Sequence, residues 1–295
     1  SIRRFVVHID VTAEQTITII LILLIKKLEA EHINLIVEED FSIFLKNNIR
    51  FNKEISTFNS YESLKNKADF LFSIGGDGTL LKAVTYVRET DVPILGINTG
   101  RLGFISSISA GQIDDAINDI LKGNFILNER ALLELTTVNN LFKEKNFALN
   151  EVAISKKDTS SMIRIDAFVD EEFLNTYWAD GLVISTPTGS TGYSLSCGGP
   201  IIMPGTNNII VTPNAPHNLN VRPIVLNDKS VLKLKVDDRD QLALVSLDSR
   251  SRAFDSDTEL LIKKADFKIK LIQPQDNSFT STIRNKLMWG LDKRS

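Results

Sequence analysis

Short apolar runs alternate with helix-like stretches over the first 125 residues. Strands are predicted at Arg4–Ile9, Ile33–Val37, Asp69–Ile74 and Val92–Asn98. Helices are predicted from about Thr12 to His32, from Leu80 to about Arg88, and from the capping-box spacing at Ser109–Gln112 through Leu121. Because strands that alternate with helices pair in parallel, residues 1–125 are expected to form an α/β domain.

The pattern changes near residue 125 to closely spaced runs of β-branched and aromatic residues, several of them separated by polar turns such as Asp170-Glu171-Glu172. The predicted strands are Ala131–Val138, Phe147–Ser155, Met162–Val169, Leu182–Thr186, Ile209–Pro213, Val231–Val236, Leu242–Leu247, Glu259–Ile262 and Phe267–Ile272. Such a series is typical of an all-β sandwich, which we place at residues 126–272. Residues 273–295 are expected to be a C-terminal tail, short helix or extended, that packs back on the first domain.

Composition places the chain among ordinary globular proteins. Its hydrophobic fraction is 43% and its charged fraction 24%. Its length of 295 residues is enough for two domains. The net charge of −3 gives no support for binding nucleic acid or an anionic membrane, so an anionic ligand must be held by local geometry.

The cysteine, the histidines and the longest apolar stretch do not indicate a disulfide, a metal site or a membrane span. Cys197 is the single cysteine, which excludes an intrachain disulfide, and the three histidines show no metal-ligand spacing. The apolar stretch Ile17–Ile25 is too short to span a bilayer and lacks the features of a signal peptide. A cytoplasmic protein is therefore expected.

The first candidate for chemistry is a glycine-rich turn, Gly75-Gly76-Asp77-Gly78-Thr79, between a predicted strand and a predicted helix. Such a turn points backbone N–H groups at an anion, and glycine allows a phosphate to approach closely. A carboxylate would repel that phosphate, so Asp77 indicates a chemical role such as accepting a proton from an attacking hydroxyl. The alternative is a tight turn in which Asp77 or Thr79 caps the helix.

Two further constellations contain polar groups in apolar surroundings. Asn150-Glu151 lies within a predicted strand; neighbours on a strand point to opposite faces, so both reach one ligand only at a strand end or a bulge. If both do, an amide beside a carboxylate suits the two hydroxyls of a ribose. The hydroxyl-rich loop from Ser185 to Ser196 either wraps a polar ligand or satisfies its own hydroxyls in a turn network.

Two common nucleotide motifs are missing from the sequence. No G-x-G-x-x-G follows the first predicted strand, and no G-x-x-x-x-G-K-[ST] occurs anywhere. A dinucleotide bound here is therefore expected to be a substrate rather than a redox cofactor.

Taken in order, these blocks resemble the signatures of the NAD kinase family from about residue 69 to the C-terminus. The residues that carry the resemblance are Gly75–Thr79, Gly96-Ile97-Asn98 with Gly100-Arg101-Leu102-Gly103-Phe104, Leu149-Asn150-Glu151, Asp180-Gly181 through Gly199-Pro200, Pro216-His217, Arg222-Pro223 and Trp289-Gly290-Leu291-Asp292. The family resemblance implies an α/β domain with the phosphate loop, a β-sandwich with most of the NAD site, and an active cleft between them.

The resemblance also implies residue roles. Asp77 would accept the proton of the adenosine ribose 2′-hydroxyl, Asn150 and Glu151 would hold ribose hydroxyls, and Asp180 would contact the nicotinamide side of NAD. The residues implied at the phosphates are Gly75, Gly76, Gly78, Thr79 and Lys82. The residues implied around the adenine and ribose are Thr191, Gly192, Tyr193, Ser194, Ser196 and Ala215.

The expected reaction transfers the γ-phosphoryl group of ATP to NAD and produces NADP, with Mg²⁺ carried by the ATP phosphates. Family members are usually homo-oligomers, so a homodimer or homotetramer is expected, with the NAD site completed across subunits. The sequence departs from the family at Leu247-Asp248-Ser249-Arg250, where Leu-Asp-Gly-Gln is frequent, and at Gly192 and Cys197, where alanine is common. The first departure puts a ligand contact by Arg250 in doubt. Two alternatives remain, a lipid or sugar-phosphate kinase with the same loop and a non-catalytic NAD-binding sensor.

Overall fold

Parallel strands form the first part of the fold and antiparallel strands the second. The computed structural model describes residues 4–9, 22, 24–48, 55–100, 103–106, 108–157, 162–237, 242–256, 258–274 and 278–289. The chain divides into two units, one of Ser1–Glu129 with Ile269–Ser295 and the other of Arg130–Lys268. We call them the first unit and the second unit.

The first unit is built on a parallel sheet with the strand order β5-β4-β1-β2-β3. Its strands are β1 (Arg4–Ile9), β2 (Asn34–Glu38), β3 (Ser56–Phe58), β4 (Phe70–Gly75), β5 (Ile94–Asn98) and the short β6 (Ile108–Ser109) beside β5. The central strands are apolar on both faces, as expected for strands covered on both sides. A late strand, β18 (Leu260–Gln273), adds its C-terminal end to this sheet with Leu271 opposite Ile94.

The described part of the first unit also contains six α-helices. They are α1 (residues 24–30), α2 (Glu39–Asn48), α3 (Tyr61–Leu64), α4 (Asp77–Val87), α5 (Ile113–Lys122) and α7 (Phe279–Leu287). The core includes Phe5, Phe72, Leu24 and Ile117, all nearly inaccessible to solvent. The predicted capping box is present, since Gln112 Oε1 accepts the Ser109 N–H at 2.9 Å. Among the described residues, no helix has the length and apolar character needed to cross a bilayer.

The second unit consists of antiparallel sheets. Its strands are β8 (Phe147–Ala148), β9 (Glu151–Lys156), β10 (Ile163–Val169), β11 (Glu172–Ala179), β12 (Gly181–Ser185), β13 (Asn208–Asn214), β14 (Ile224–Asn227), β15 (Leu232–Asp237), β16 (Leu242–Leu247) and β17 (Arg250–Asp255), and β7 (Ile126–Thr136) enters it from the first unit. One sheet has the order β14-β13-β12-β9-β16-β17, and the other contains β11, β10 and β15 followed by the N-terminal end of β18. Side chains from both sheets, such as Ile154 and Leu234, share one apolar cluster. The predicted fold class is confirmed.

Several element boundaries differ from the prediction, for identifiable reasons. Helix α4 begins at Asp77 rather than Leu80. The predicted start was too late because Gly78 and Thr79, which occupy the first turn of the helix, have low helix propensity. The predicted strand Phe147–Ser155 is interrupted at Leu149 and Asn150, between β8 and β9. The two strands predicted at 259–262 and 267–272 belong to one strand, β18. Lys263, Lys264 and Asp266 interrupt the apolar run in the sequence but lie within this strand around the buried Ala265.

Some elements were not predicted at all. These are α2, α3, β3, β6, β11, β14, β17 and a short helix at Tyr193–Ser196. The strands β11, β14 and β17 lie at sheet edges. Polar residues interrupt β11 and β17, and β14 has only four residues, three of them apolar, so none of the three contains a long apolar run. Most of the predicted helix from Thr12 to His32 lies outside the described residues, although residues 24–30 are helical, and Arg101, Leu102 and Gly290–Asp292 of the family blocks also lie outside them.

Candidate functional site

The glycine-rich turn lies at the carboxyl end of β4, where it leads directly into α4. Gly75 has a φ of +153°, and a Cβ there would lie 2.2 Å from Thr79 Oγ1, so both conformation and space require glycine. At Gly76 and Gly78, a Cβ would meet no heavy atom within 4 Å among the described residues. The first N–H groups of a helix have no acceptor within the helix, so this open helix end can receive an anion.

Asp77 is tied to a segment distant in sequence and does not cap the helix. The N-cap residue is Gly76, with no side-chain cap hydrogen bond. The Oδ2 atom of Asp77 accepts the Phe104 N–H at 2.8 Å, and Oδ1 accepts the N–H groups of Ile105 and Ser106 at 3.3 and 3.0 Å. The alternative in which Asp77 caps α4 is therefore wrong. A carboxylate has about four acceptor positions, of which these bonds fill three and leave one on Oδ2.

The segment that holds Asp77 approaches it so closely that only glycine fits. A Cβ on Gly103 would lie 1.8 Å from Asp77 Oδ1 and 2.5 Å from its Cγ. The sequence block that contains Gly103 was noted for its resemblance to the family, but its contact with Asp77 was not predicted. The signal available in the sequence was the pair of glycines that brackets residues 101 and 102.

In the second unit, the break between β8 and β9 presents Asn150 and Glu151 together. Three successive N–H groups at Leu149, Asn150 and Glu151 donate to the carboxylate of Asp248 at 2.9, 2.8 and 3.2 Å. Asp248 thus holds this break in the strand. The sequence analysis gave such a break as the condition for Asn150 and Glu151 to reach one ligand. Its role was missed because the contact joins residues nearly a hundred positions apart.

Buried acceptors without a partner accumulate at this segment. Among the described residues, Asn150 Oδ1, Glu151 Oε2 and Ser185 Oγ have no hydrogen-bond partner, and Ser185 is the strand neighbour of Glu151. Burial, followed by the charge of Asp248, raises the pKa of Glu151 to about 7, although the Tyr193 N–H donates to this carboxylate. Buried polar atoms normally have partners, so a ligand with hydroxyl groups fits this place.

The hydroxyl-rich loop forms a short 3-10 helix, Gly189–Thr191, and helix α6 (Tyr193–Ser196). Its hydroxyls bond within the chain: Thr186 Oγ1 donates to the Leu149 carbonyl at 2.6 Å, and Ser190 Oγ donates to the Pro187 carbonyl at 2.7 Å. Ser185 Oγ in the same loop has no partner among the described residues. For Thr186 and Ser190, the turn network is the arrangement found. It also supports the neighbouring site, because Gly189 packs so tightly that a Cβ would lie 2.0 Å from the Asn150 carbonyl oxygen.

Ser194 and Ser196 likewise bond to other groups of the chain. Ser194 is fully buried with its Oγ 2.9 Å from Thr212 Oγ1, so it supports the loop and does not line a surface. Ser196 is exposed and donates to the Tyr193 carbonyl at 2.7 Å. Thr191 Oγ1 lies 3.3 Å from the Thr188 carbonyl.

Gly192 and Tyr193 border the Asn150–Glu151 segment. A Cβ on Gly192 would lie 3.1 Å from Glu151 Oε2 and 3.5 Å from Asn150 Nδ2, so a larger residue at this position would crowd both groups. The Tyr193 hydroxyl accepts a hydrogen bond from Asn214 Nδ2 at 3.0 Å.

Asp180 and Ala215 lie in turns beside strand β13. Asp180 donates its N–H to the Asn214 carbonyl at 3.0 Å, and its carboxylate pairs with Lys156 at 2.7 Å. Ala215 is exposed and has a φ of +46°, so the chain turns sharply there.

Arg250, where the sequence departs from the family, binds backbone. Its guanidinium donates to the carbonyl oxygens of Lys145 and Phe147 and lies 5.4 Å from the centroid of the Phe147 ring. Arg250 therefore stabilises the stretch of chain that leads into the Asn150–Glu151 segment.

One unit thus carries an open glycine turn with a tethered carboxylate, and the other carries a buried amide and carboxylate with unfilled acceptor positions. These features define a two-unit protein equipped to bind phosphorylated and hydroxyl-bearing ligands such as nucleotides. The strand that ends in the turn belongs to a parallel sheet, where the carboxyl ends of strands are the usual ligand side.

Comparison with known proteins specifies the class. The family model of the ATP-NAD kinase N-terminal domain matches residues 5–125, and that of the ATP-NAD kinase C-terminal domain matches residues 149–274. The NAD kinase of Christiangramia forsetii is 47% identical over 274 residues, 92% of this chain and 93% of the relative. The NAD kinase of Porphyromonas gingivalis strain W83 is 42% identical over 267 residues, 90% of this chain and 91% of the relative.

Solved structures agree in fold. The yeast NADH kinase complexed with NADH superposes with a TM-score of 0.89 at 23% identity, over 99% of this chain and 89% of that chain. An NAD kinase from Archaeoglobus fulgidus in complex with ATP gives a TM-score of 0.73 at 23% identity, over 97% and 98%. The chain belongs to the ATP-NAD kinase family, which confirms the resemblance noted in its sequence.

Proposed function

We propose that the protein transfers the γ-phosphoryl group of ATP to the 2′-hydroxyl of the adenosine ribose of NAD, producing NADP and ADP. Membership of the ATP-NAD kinase family supports the reaction. The observation that carries the mechanism is the Asp77 carboxylate, fixed by three N–H groups at the end of α4 with one acceptor position left on Oδ2.

The donor phosphates are assigned to the glycine turn. The N–H groups around Gly75, Gly76, Gly78 and Thr79 would bind phosphate oxygens, and Lys82 adds a charge from the next turn of α4. Among the described residues, no group of three or more His, Cys, Asp or Glu side chains could hold a metal ion. We assign Mg²⁺ to the Mg-ATP substrate, where phosphate oxygens would bind it.

The acceptor is assigned to the second unit. Asn150 Oδ1 and Glu151 Oε2 are buried acceptors without a partner in the described part of the chain, and ribose hydroxyls would donate to them. We assign Asp180 to the nicotinamide side of NAD. The adenine and ribose surroundings are assigned to Thr191, Gly192, Tyr193, Ser196 and Ala215, with Ser194 supporting them from the loop interior.

In the reaction, the 2′-hydroxyl oxygen forms the new bond to the γ-phosphorus while the bond to the β-phosphate oxygen breaks. The hydroxyl proton passes to Asp77 Oδ2. A carboxylate is a weak base, but in a loose phosphoryl-transfer transition state the nucleophile loses its proton late, so a positioned weak base is sufficient. Alignment and charge neutralisation by backbone N–H groups and Lys82 supply most of the acceleration.

We also propose that the chain works as a homodimer or homotetramer in the cytoplasm. Large apolar side chains on the second unit are exposed, including Leu219 at 87% and Phe173 at 56%, and self-association would cover such residues. Cys197 is a free thiol, which suits a reducing compartment. Sedimentation velocity of the purified protein tests the assembly, and a purely monomeric species would contradict it.

The decisive experiment incubates the protein with Mg-ATP and, separately, with NAD, diacylglycerol or a hexose phosphate. NADP is measured with an NADP-specific dehydrogenase, and the other products by phosphate incorporation. We expect NADP alone, and we expect Asp77→Asn to lower kcat by about 10²- to 10⁴-fold, the usual contribution of a general base. Absence of NADP would refute the function, and an Asp77→Asn enzyme that folds and turns over at the wild-type rate would refute the role of Asp77.

A further inference from the structure

A buried polar cluster lies at the carboxyl ends of β1 and β2, outside the residues used so far. His8, on β1, has no exposed surface, and its Nδ1 lies 2.6 Å from Oε2 of Glu38, the last residue of β2. Tyr86, on α4, donates its hydroxyl to Glu38 Oε1 at 2.8 Å. The rings of His8 and Tyr86 meet edge to face at 5.3 Å. Burial of a carboxylate is costly unless it is paired, so the cluster fixes Glu38 from behind.

The third partner of Glu38 faces solvent. Lys82 Nζ lies 3.1 Å from Glu38 Oε1, and the lysine side chain is 55% exposed while that of Glu38 is only 9% exposed. Burial raises the pKa of Glu38, but the hydrogen bond and charge of His8, with the hydrogen bonds of Tyr86 and Lys82, lower it overall to about 2. Glu38 is therefore an anion with two buried partners and one partner at the surface.

The position of Lys82 on α4 directs its side chain toward the glycine turn. Lys82 follows Gly78 by four residues, so the two share one face of the helix. Helical side chains lean toward the N-terminus of their helix, which for Lys82 is the end with the glycine turn, and the surface at Gly78 is open. An ammonium has three N–H donors, so one bond to Glu38 leaves two for phosphate oxygens.

We propose that Glu38, fixed by His8 and Tyr86, is a positioning residue that holds the Lys82 ammonium over the glycine turn for the donor phosphates of ATP. The inference rests on the proposed function, because Lys82 is there assigned to the nucleotide. A lysine side chain is long and flexible, and loses rotamer freedom when it binds a ligand. The contact with Glu38 orders it before ATP arrives, so loss of that contact is expected to weaken ATP binding.

The test is a double-mutant cycle of Glu38→Gln and Lys82→Met, with steady-state kinetics in both substrates. Lys82→Met should raise the KM for Mg-ATP about tenfold, as expected for one charge-assisted hydrogen bond. Glu38→Gln should raise it about fourfold, with the KM for NAD within about twofold of wild type, and should add nothing in the Lys82→Met background. Lys82→Arg, which keeps the charge, should recover part of the loss.

Tyr86→Phe is a second variant that tests the same contact if the Glu38→Gln protein does not fold. It keeps the buried ring and removes one of the two bonds that fix the carboxylate, so a smaller rise in the KM for ATP is expected, again absent when Lys82 is Met. An unchanged or lower KM for ATP in these variants, or an equal effect in both Lys82 backgrounds, would overturn the proposal. The wild-type protein in the same assay tests the proposed function separately, since it alone reports whether NADP is made.

Discussion

Replacement of Gly103 by alanine tests whether the position of the Asp77 carboxylate sets the rate. The added Cβ would lie 1.8 Å from Asp77 Oδ1, far inside van der Waals contact, and 2.5 and 2.7 Å from the other two carboxylate atoms. The methyl and the carboxylate cannot both keep these places. Because residues 104–106 bind the same carboxylate through their N–H groups, either Asp77 or this segment must move.

The size of the effect follows from the geometry. Separation of the methyl and Oδ1 to an ordinary contact requires a displacement of about 1 Å or more, and a displacement of about 1 Å at a reacting group can cost about 10²-fold in rate. Weakening of the three hydrogen bonds should lower the free energy of unfolding by about 1–3 kcal/mol. Gly103→Ala should therefore lower kcat about 10²-fold in a protein that still folds.

Gly100→Ala is the matched control in the same connection. A Cβ at Gly100 meets no heavy atom within 4 Å among the described residues, and the Gly100 N–H that donates to Asn98 Oδ1 at 2.7 Å is retained. Steady-state production of NADP, with urea unfolding of each variant, should show kcat within about twofold of wild type for Gly100→Ala. If Gly103→Ala kept the wild-type kcat, the carboxylate would not need its observed position, and the argument from the structure would fail.

Two further predictions concern the second unit. Because burial and Asp248 raise the pKa of Glu151 from 4.5 to about 7, its contribution to stability is present below pH 4.5 and lost as pH rises through about 7. The free energy of unfolding should thus fall by about 3 kcal/mol over this interval, and Glu151→Gln should remove this part of the slope in urea titrations at several pH values; parallel slopes would contradict the assignment. Arg250→Met should lower the free energy of unfolding by about 1–3 kcal/mol, because it removes donors to the carbonyls of Lys145 and Phe147, with the KM for NAD within about twofold of wild type. A tenfold rise in that KM without loss of stability would instead place Arg250 against the ligand.

The extent to which the fold could be predicted depended on how strands are buried. Strands such as β1 and β4 are covered on both faces and therefore stand out as apolar runs. Strand β17, Arg250–Asp255, has one neighbour and mostly exposed side chains, so its sequence resembles a turn. The start of α4 was missed because glycine in a first helical turn is indistinguishable from a loop glycine in sequence alone.

The site could be predicted where its chemistry is local. The glycine turn and the Asn150–Glu151 pair combine unusual residue types within a few positions, and such combinations are visible in sequence. The groups that position them are distant, since Asp248 binds N–H groups 97–99 residues away. A side chain that binds a remote backbone leaves no periodic pattern. For the same reason the sequence left both alternatives for the hydroxyl-rich loop open, since partners of its hydroxyls are carbonyls.

The first unit combines two separate stretches of the chain, and this has a consequence for biosynthesis. Residues 130–268 form a continuous stretch, whereas the first unit requires residues 269–295, including Leu271 beside Ile94 and the core residue Ile272. During translation the second unit is thus complete before the first can close its sheet. A chain cut after Lys268 would keep all of the second unit, whereas its first unit would lack the end of β18 that pairs with β5.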